Sequence, residues 1–514
     1  MGQLARFKKI DSRRIWPSGE PGIRIASVNS QILGLLVGSV LAAGCSIQED
    51  PYAGTEIGKN NAAIDAVFAD WDLPRSPGCA LAVARDGSLL YSRGYGYANL
   101  DYDIPITPQT LFDVASVTKQ FSAASLTMLA LDGKVSLDDD VRRWLPELPV
   151  YQSPITLRHM LYHTSGLRDY LTLFPLSGRT DYYPISHDQI LNMMSRQGGL
   201  VFMPGDQYVY SNTAYMLVAQ VIERVSSKSL GEFTKERIFK PLGMENSLMY
   251  EDLGEIIPNR AIGYGRDEAG RLRIVHNSNF DVAGDGQLYT TMEDLLRWDN
   301  YLHGTKRPAI HSLMLTEGVL NNGDRIGYAQ GISLQEYRGL RTVGHGGSSW
   351  GFRTALVRFI QPGLSIAVSC NSDDAAPGKL AQRVADHYLA KELGPEIGNK
   401  GSDTGRQNKS TFTEPISVLS SDYSAFSGSF FSRELDAIYR FSDVDNFFVV
   451  RIEQEPAINV VPLGDNLFEF QFQPQGWSTP ELVQVRFSRN ASDVVDGFSL
   501  SAGTERNILF TKIN

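Results

Sequence analysis

Ser116-Val-Thr-Lys119 sets a hydroxyl and an amine three residues apart. On a helix that spacing puts both on one face, a turn apart. A serine hydroxyl is a weak nucleophile and needs a neighbouring base. A lysine, ordinarily near a pKa of ~10.4, serves as that base only if burial or nearby positive charge lowers it. A helix start adds free N–H groups and partial positive charge beside the serine. Taken alone the pair is weak evidence, since about one S-x-x-K is expected by chance in a chain this long and most mark ordinary helix starts.

Two further groups carry chemistry. Tyr210-Ser211-Asn212 sits in the loop-like stretch PGDQYVYSNT at 204–213 and can bring a phenol and an amide to a cleft. On its own, such a tyrosine is more simply a residue packed at a domain edge. His345-Gly346-Gly347 follows an apolar strand, and its glycines let another chain or a substrate approach the backbone. A lone histidine there is more often structural. The same stretch, GHGGSSWGF at 344–352, also contains GSSWG, a match to the G-x-S-x-G elbow with Ser349 as nucleophile. That elbow needs a strand-to-helix turn and the chain order Ser, Asp, His. Residues after Ser349 read as strand, and His387 is the last histidine left downstream, so the pattern argues against Ser349.

These groups need a scaffold. Residues 79–84 and 88–91, with Asp86-Gly87 between them, predict a β-hairpin. Residues 116–131 have few breakers and end before Gly133, which predicts a buried helix. Further helices are expected at 213–225 and 292–302. Residues 340–343, 352–359 and 365–370 predict late strands, antiparallel because their connections are short. The first hairpin and the late strands are expected to share one sheet, with the helical middle inserted between them. From Tyr423 onward short β-type runs recur, such as FFVVRI at 447–452 and LFEFQF at 467–472, separated by turn residues.

The expected organisation is therefore α+β: an antiparallel sheet flanked by helices with an inserted helical region, plus a small C-terminal all-β barrel-like domain. The segments are 1–45, signal or lipobox-like; 46–61, a polar tether; 62–392, the catalytic domain; 393–415, a Gly-rich polar linker; and 416–514, the all-β domain. The apolar run at 32–44 follows a basic lead and is too short to span a bilayer comfortably as a helix. It ends in Leu41-Ala-Ala-Gly-Cys45, which resembles a bacterial lipobox, with Ala42 where a large aliphatic residue is usual. Two readings stand: lipidation at Cys45 with membrane attachment, or a plain secretory signal. Either one predicts a secreted or periplasmic protein.

A net charge of −10 argues against nucleic acid as a partner. With cysteines at 45, 79 and 370 only, no disulfide framework and no zinc spacing is expected. No metal or cofactor is expected either. The oligomeric state stays open.

Taken in order, Ser116-x-x-Lys119, Tyr210-x-Asn212 and His345-x-Gly347 resemble the serine β-lactamase and penicillin-binding protein superfamily, in its class C-like branch. Pro77-Gly78, Gly94-Tyr-Gly96, His163-Thr-Ser-Gly-Leu167, Pro241-Leu-Gly-Met244 and residues 283–291 look like the same branch, so that the resemblance covers residues 60–390. It implies Ser116 as the acylated nucleophile, Lys119 as its activator and Tyr210 as general base and acid. Asn212 would orient Lys119 and the substrate amide. The backbone N–H groups of Ser116 and Ser348 would form the oxyanion hole, with Gly347 beside them. His345 stands where β-lactamases of this branch carry lysine, and His-x-Gly resembles the D-alanyl-D-alanine carboxypeptidase, D-aminopeptidase and esterase members. Arg353 is a candidate for a substrate carboxylate, or else a solvated strand-end arginine. The expected function is a serine hydrolase acting on D-amino-acid peptides or similar amides and esters. The alternatives are a promiscuous carboxylesterase or weak β-lactamase, and a non-catalytic sensor of penicillin or peptidoglycan fragments.

Overall fold

The computed structural model describes residues 56–179, 184–267, 269–275, 280–304, 306–395, 423–444, 447–453, 455–464, 466–473 and 480–513. The signal or lipobox-like segment with Cys45, and nearly all of the linker at 393–415, lie outside them.

A six-stranded antiparallel sheet forms the backbone of the catalytic region. Its order is Ser333–Tyr337, Leu340–Ser349, Phe352–Phe359, Leu364–Cys370, Cys79–Arg85 and Ser88–Tyr95. The early hairpin and the late strands thus join, as their short connections predict. Asp86 and Gly87 both take positive φ at the hairpin turn, as a two-residue turn that follows the strand twist requires.

The strand Cys79–Arg85 shows the period-two logic. Cys79, Leu81 and Val83 face one core with Ile64 and Phe68 below the sheet and Leu380 and Val384 of the helix Pro377–Tyr388. Ala80, Ala82 and Ala84 face the other core, which includes Trp298 and Leu295 of the helix Met292–His303. Cys79 and Cys370 are register partners on neighbouring strands and form a buried disulfide. This corrects the expectation from cysteine number: three cysteines build no framework, yet two of them meet across the sheet.

On the inner side stands the helix Lys119–Leu131, with Lys119 through Leu129 all buried. A helix enclosed on every side needs apolar or internally satisfied residues all round, and its Gln120 accepts from the Trp298 indole N–H at 2.8 Å. Beside it lies the helix Asn212–Ser226, capped by the Ser211 hydroxyl. A helix at Glu56–Val67 begins within the stretch whose polar composition suggested a tether as far as residue 61.

The C-terminal region is a nine-stranded antiparallel sheet that is nearly closed and barrel-like. Phe430, Tyr439, Phe441, Phe448, Phe468, Phe487, Phe498 and Phe510 are all buried. Their rings meet edge-on or stacked, as at Phe498–Phe510 with centroids 4.3 Å apart.

Candidate active site

Ser116 does not open an α-helix. It sits in a 3₁₀ turn, Ala115–Thr118, that leads into the helix at Lys119. In a 3₁₀ turn residues i and i+3 eclipse, and Lys119 Nζ comes within 3.2 Å of Ser116 Oγ. The turn is held open at its start: Ala115 has φ 48°, and its N–H donates to Asp113 Oδ1 at 2.8 Å. Ser116 is half-buried.

Lys119 is fully buried. Its Nζ donates to Asn212 Oδ1 at 2.9 Å and to the Asp285 carbonyl at 2.8 Å. Burial pushes its pKa down to about 8, while the Asp285 and Asp169 carboxylates pull the other way. A neutral amine has two N–H bonds and one lone pair. With carbonyl oxygens taking both N–H bonds, the lone pair is left facing the Ser116 hydroxyl.

Tyr210 lies over the same lysine, its ring centroid 4.8 Å from Nζ. Loss of solvent around the phenol raises its pKa, and the bond to Ser116 opposes this only in part. The residue as a whole remains 37% exposed, so one flank of the ring stays open to the cleft. The ring is stacked on His163 with centroids 4.2 Å apart. His163, read from sequence as scaffold, is scaffold directly behind Tyr210.

The opposite wall is the strand Leu340–Ser349, which runs on through the glycine-rich stretch where sequence predicted an end at 343. A Cβ on Gly347 would lie 2.2 Å from the Val114 carbonyl oxygen. Glycine is therefore what lets this strand close on the Ser116 turn. Ser348, next along, is exposed and paired with Arg353.

His345 is half-buried, and its tautomer follows from a chain of bonds. His163 Nδ1 accepts from the Ser211 N–H at 3.0 Å, so its proton is on Nε2 and goes to Tyr328 Oη at 3.2 Å. The Tyr328 O–H is then shared between Tyr215 and His345 Nε2, the latter at 2.9 Å. The remaining His345 proton sits on Nδ1, 2.6 Å from the Gly346 carbonyl. Burial drives the His345 pKa down to about 4, with the Lys119 charge adding to the effect, so the ring is neutral at pH 7.

Ser349 ends its strand, and the chain turns through Trp350-Gly351 into the antiparallel strand Phe352–Phe359. No helix follows, so GSSWG is not a nucleophile elbow. The Ser349 side chain instead bonds to Asp113, whose carboxyl is pushed up to about 6 chiefly by burial.

Arg353, a carboxylate-binding candidate from sequence, has its guanidinium engaged within its own turn. Its guanidinium donates to the Ser349 and Phe352 carbonyls at 3.0 and 2.8 Å and pairs with Asp373 at 2.8 Å. It fastens the turn at 350–351, where Asp373 also accepts from the Gly351 N–H.

The structure thus gathers Ser116, Lys119, Tyr210 and Asn212, closes Gly347 on their turn, sets His345 across from Tyr210 with ring centroids 6.1 Å apart, and ties Arg353 elsewhere. Asp169, Asp285 and Tyr328 were not foreseen. Asp285 lies within the family-like stretch 283–291 and Asp169 two residues beyond His163–Leu167, whereas nothing in the pattern marks Tyr328. Among the described residues no three His, Cys, Asp or Glu side chains are grouped to hold a metal.

A protein-family model described as Beta-lactamase matches residues 65–390. Penicillin-binding protein 4* of Bacillus subtilis strain 168 is 32% identical over 323 residues, covering 60% of this chain and 71% of that one. A D-aminopeptidase of Gluconobacter oxydans strain 621H is 30% identical over 312 residues, covering 60% of this chain but only 58% of its own length. Among solved structures, an octameric penicillin-binding protein homologue from Pyrococcus abyssi aligns with a TM-score of 0.57 at 22% identity. That alignment covers 89% of this chain and all of the homologue, which extends the likeness in fold into the C-terminal sheet. The family model takes in well over half of the 514 residues, and the chain belongs to the beta-lactamase family.

Proposed function

We propose that this chain is a serine hydrolase working through an acyl-enzyme on Ser116, with D-amino-acid amides and peptides as substrates. One observation carries the reading: Lys119 Nζ lies 3.2 Å from Ser116 Oγ with its other bonds committed to Asn212 and Asp285. A pKa near 8 leaves a useful neutral fraction of that amine at neutral pH.

In this mechanism Ser116 Oγ attacks the substrate carbonyl carbon and its proton passes to Lys119. The C=O electron pair moves onto oxygen, where the backbone N–H groups of Ser116 and Ser348 receive it. Tyr210, kept protonated by its raised pKa, gives its proton to the leaving nitrogen as the C–N bond breaks. The phenolate regains a proton from the Lys119 ammonium. Water then repeats the sequence on the ester, returning Ser116 and releasing the acid. Tyr210 enters first as an acid, a narrower role than the base-and-acid part implied by family resemblance.

Two features support amides and esters without an essential carboxylate. His345 is neutral, and Arg353 is paired with Asp373. Neither brings charge to a substrate carboxylate, which both β-lactams and carboxypeptidase substrates carry. The D-aminopeptidase relative supports D stereochemistry. The test compares D-alanine and L-alanine p-nitroanilides, a p-nitrophenyl ester and a chromogenic cephalosporin. Preferential turnover of the D-anilide is expected. Turnover of the ester or the cephalosporin alone would reassign the chain to the esterase or β-lactamase reading, and a stable penicillin label without any turnover would make it a sensor.

We also propose an exported location. The buried Cys79–Cys370 disulfide supports an oxidising compartment, as do the basic lead and apolar run before Cys45. Fractionating cells that express the wild type or Cys45→Ala tests it: lipidation predicts wild type with the membranes and the variant released.

A further inference from the structure

Among the described residues the C-terminal region meets the catalytic region at the segment 168–178, and again at Gln197 and Gly198, which bond to Glu434 at 3.0 and 2.7 Å; at 168–178 it does so with buried polar groups. The Arg168 guanidinium, 3% exposed, donates to Glu434 Oε1 at 2.9 Å and to the Arg506 carbonyl at 3.0 Å. The Asp169 N–H donates to Glu505 Oε1 at 3.0 Å. Tyr439 Oη donates to the Leu176 carbonyl at 2.8 Å. Glu505 is 1% exposed and opens the strand Glu505–Ile513.

The same segment faces the lysine on its other side. Asp169 Oδ2 accepts from the Asn212 N–H at 2.6 Å, and Oδ1 from the Leu171 N–H at 2.9 Å. Tyr170 Oη donates to Asp285 Oδ2 at 3.1 Å. Asn212 and Asp285 are the two residues that take the Lys119 N–H bonds. Residues 169 and 170 therefore connect the C-terminal sheet to both fixed partners of the lysine.

We propose that Glu505 is a positioning residue for catalysis: by holding the Asp169 backbone it fixes Asn212, and through Asn212 the aim of Lys119 at Ser116. The proposal rests on the acyl-transfer reading of Ser116. The C-terminal sheet thus acts from behind the site, as a buttress. Asp169 is tied by its N–H to Glu505 and by its carboxylate to Asn212, so loss of the first bond frees the second to shift. Displacements near an ångström in a catalytic group cost up to ~10²-fold in rate.

The chemistry of the contact is consistent with this. Glu505 Oε2 has no partner in the structure, and burial pushes the carboxyl up to about 7, with the Asp169 charge adding and Arg168 opposing. Thr504 Oγ1 also donates to Glu505 Oε1 at 3.2 Å. Glu434 is engaged by Arg168, and the Arg506 guanidinium turns back to the Gly503 and Glu505 carbonyls. Below pH 7 the protonated carboxyl sits beside Asp169 without repulsion. Above it, the ionised Glu505 carboxylate is repelled by the Asp169 carboxylate, with the Arg168 charge opposing.

The experiment uses the full-length chain as wild type, Glu505→Ala and Glu505→Gln, assayed on the D-anilide from pH 5 to 9. Wild type must first be acylated at Ser116; if it is not, the hydrolase reading has failed, not this one. Glu505→Ala should lower kcat about 10-fold with KM within twofold. Glu505→Gln, whose amide oxygen can accept the same N–H, should restore most of kcat. The ratio of wild-type to Glu505→Gln kcat should fall as pH rises through about 7, because the Lys119 titration is common to both. A Glu505→Ala kcat within twofold of wild type would overturn the proposal, as would equal losses in both variants. If the alanine variant does not fold, a pH-independent kcat ratio for the glutamine variant overturns it alone.

Discussion

The two walls that flank Ser116 are built on opposite plans. The lysine wall is saturated: the two N–H bonds that buried Lys119 keeps when neutral end on fixed acceptors, and two half-buried carboxylates, Asp169 and Asp285, stand behind them. The histidine wall is a half-buried strand whose polar side chain is neutral and turned toward Tyr328. In the proposed mechanism the first stores a base, its pKa lowered by burial to about 8. The second supplies shape, backbone N–H groups and little charge. A site of this kind puts its rate in one wall and its selectivity in the other, and substitutions should separate the two.

Removing the nucleophile is the largest break. Ser116→Ala should lower kcat by ~10⁴-fold or more on every substrate, read by steady-state hydrolysis. Lys119→Met keeps the bulk without the base and should cost ~10²–10⁴-fold, while leaving the fold intact by circular dichroism. In the proposed mechanism the lysine acts in its neutral form, so wild-type kcat/KM should rise with pH through about 8. Asp285→Asn removes a carboxylate that holds the charged form, and should move that rise to lower pH.

Changes in the histidine wall should be smaller and should shift preference. His345→Lys adds a cation opposite Ser116. It should raise relative activity toward carboxylate-bearing substrates about 10-fold while lowering D-anilide turnover. Tyr328→Phe removes one link between His163 and His345, and about 3-fold in kcat is expected from the loss of one positioning bond. The smallest effect belongs to Arg353→Ala. KM for a carboxylate-bearing substrate should change less than twofold, while stability falls by about 1 kcal/mol through the lost pair with Asp373. A large KM effect there would return Arg353 to the cleft.

The same contrast explains what could be read from sequence. Ser116, Lys119, Tyr210 and Asn212 were legible because local spacing or a short motif carries each of them. The sheet was legible because short connections force antiparallel neighbours. Asp169, Asp285 and Tyr328 act through bonds to residues far along the chain, such as Lys119 to Asp285, and no local pattern announces such a meeting. The disulfide depends on strand register, Cys79 opposite Cys370, which composition does not encode. Arg353 has a strand-end position that looks free until the loop carrying Asp373 folds back on it. The helix Glu56–Val67 has few large apolar residues in its first half, and so read as a tether.

The most direct test is where an acyl group lands. Wild type, Ser116→Ala and Ser349→Ala are treated with a slowly hydrolysed p-nitrophenyl ester, and the labelled peptide is located by mass spectrometry. The account predicts one acyl group per chain on Ser116, retained in Ser349→Ala and absent in Ser116→Ala. Label on Ser349, persisting in Ser116→Ala, would contradict it.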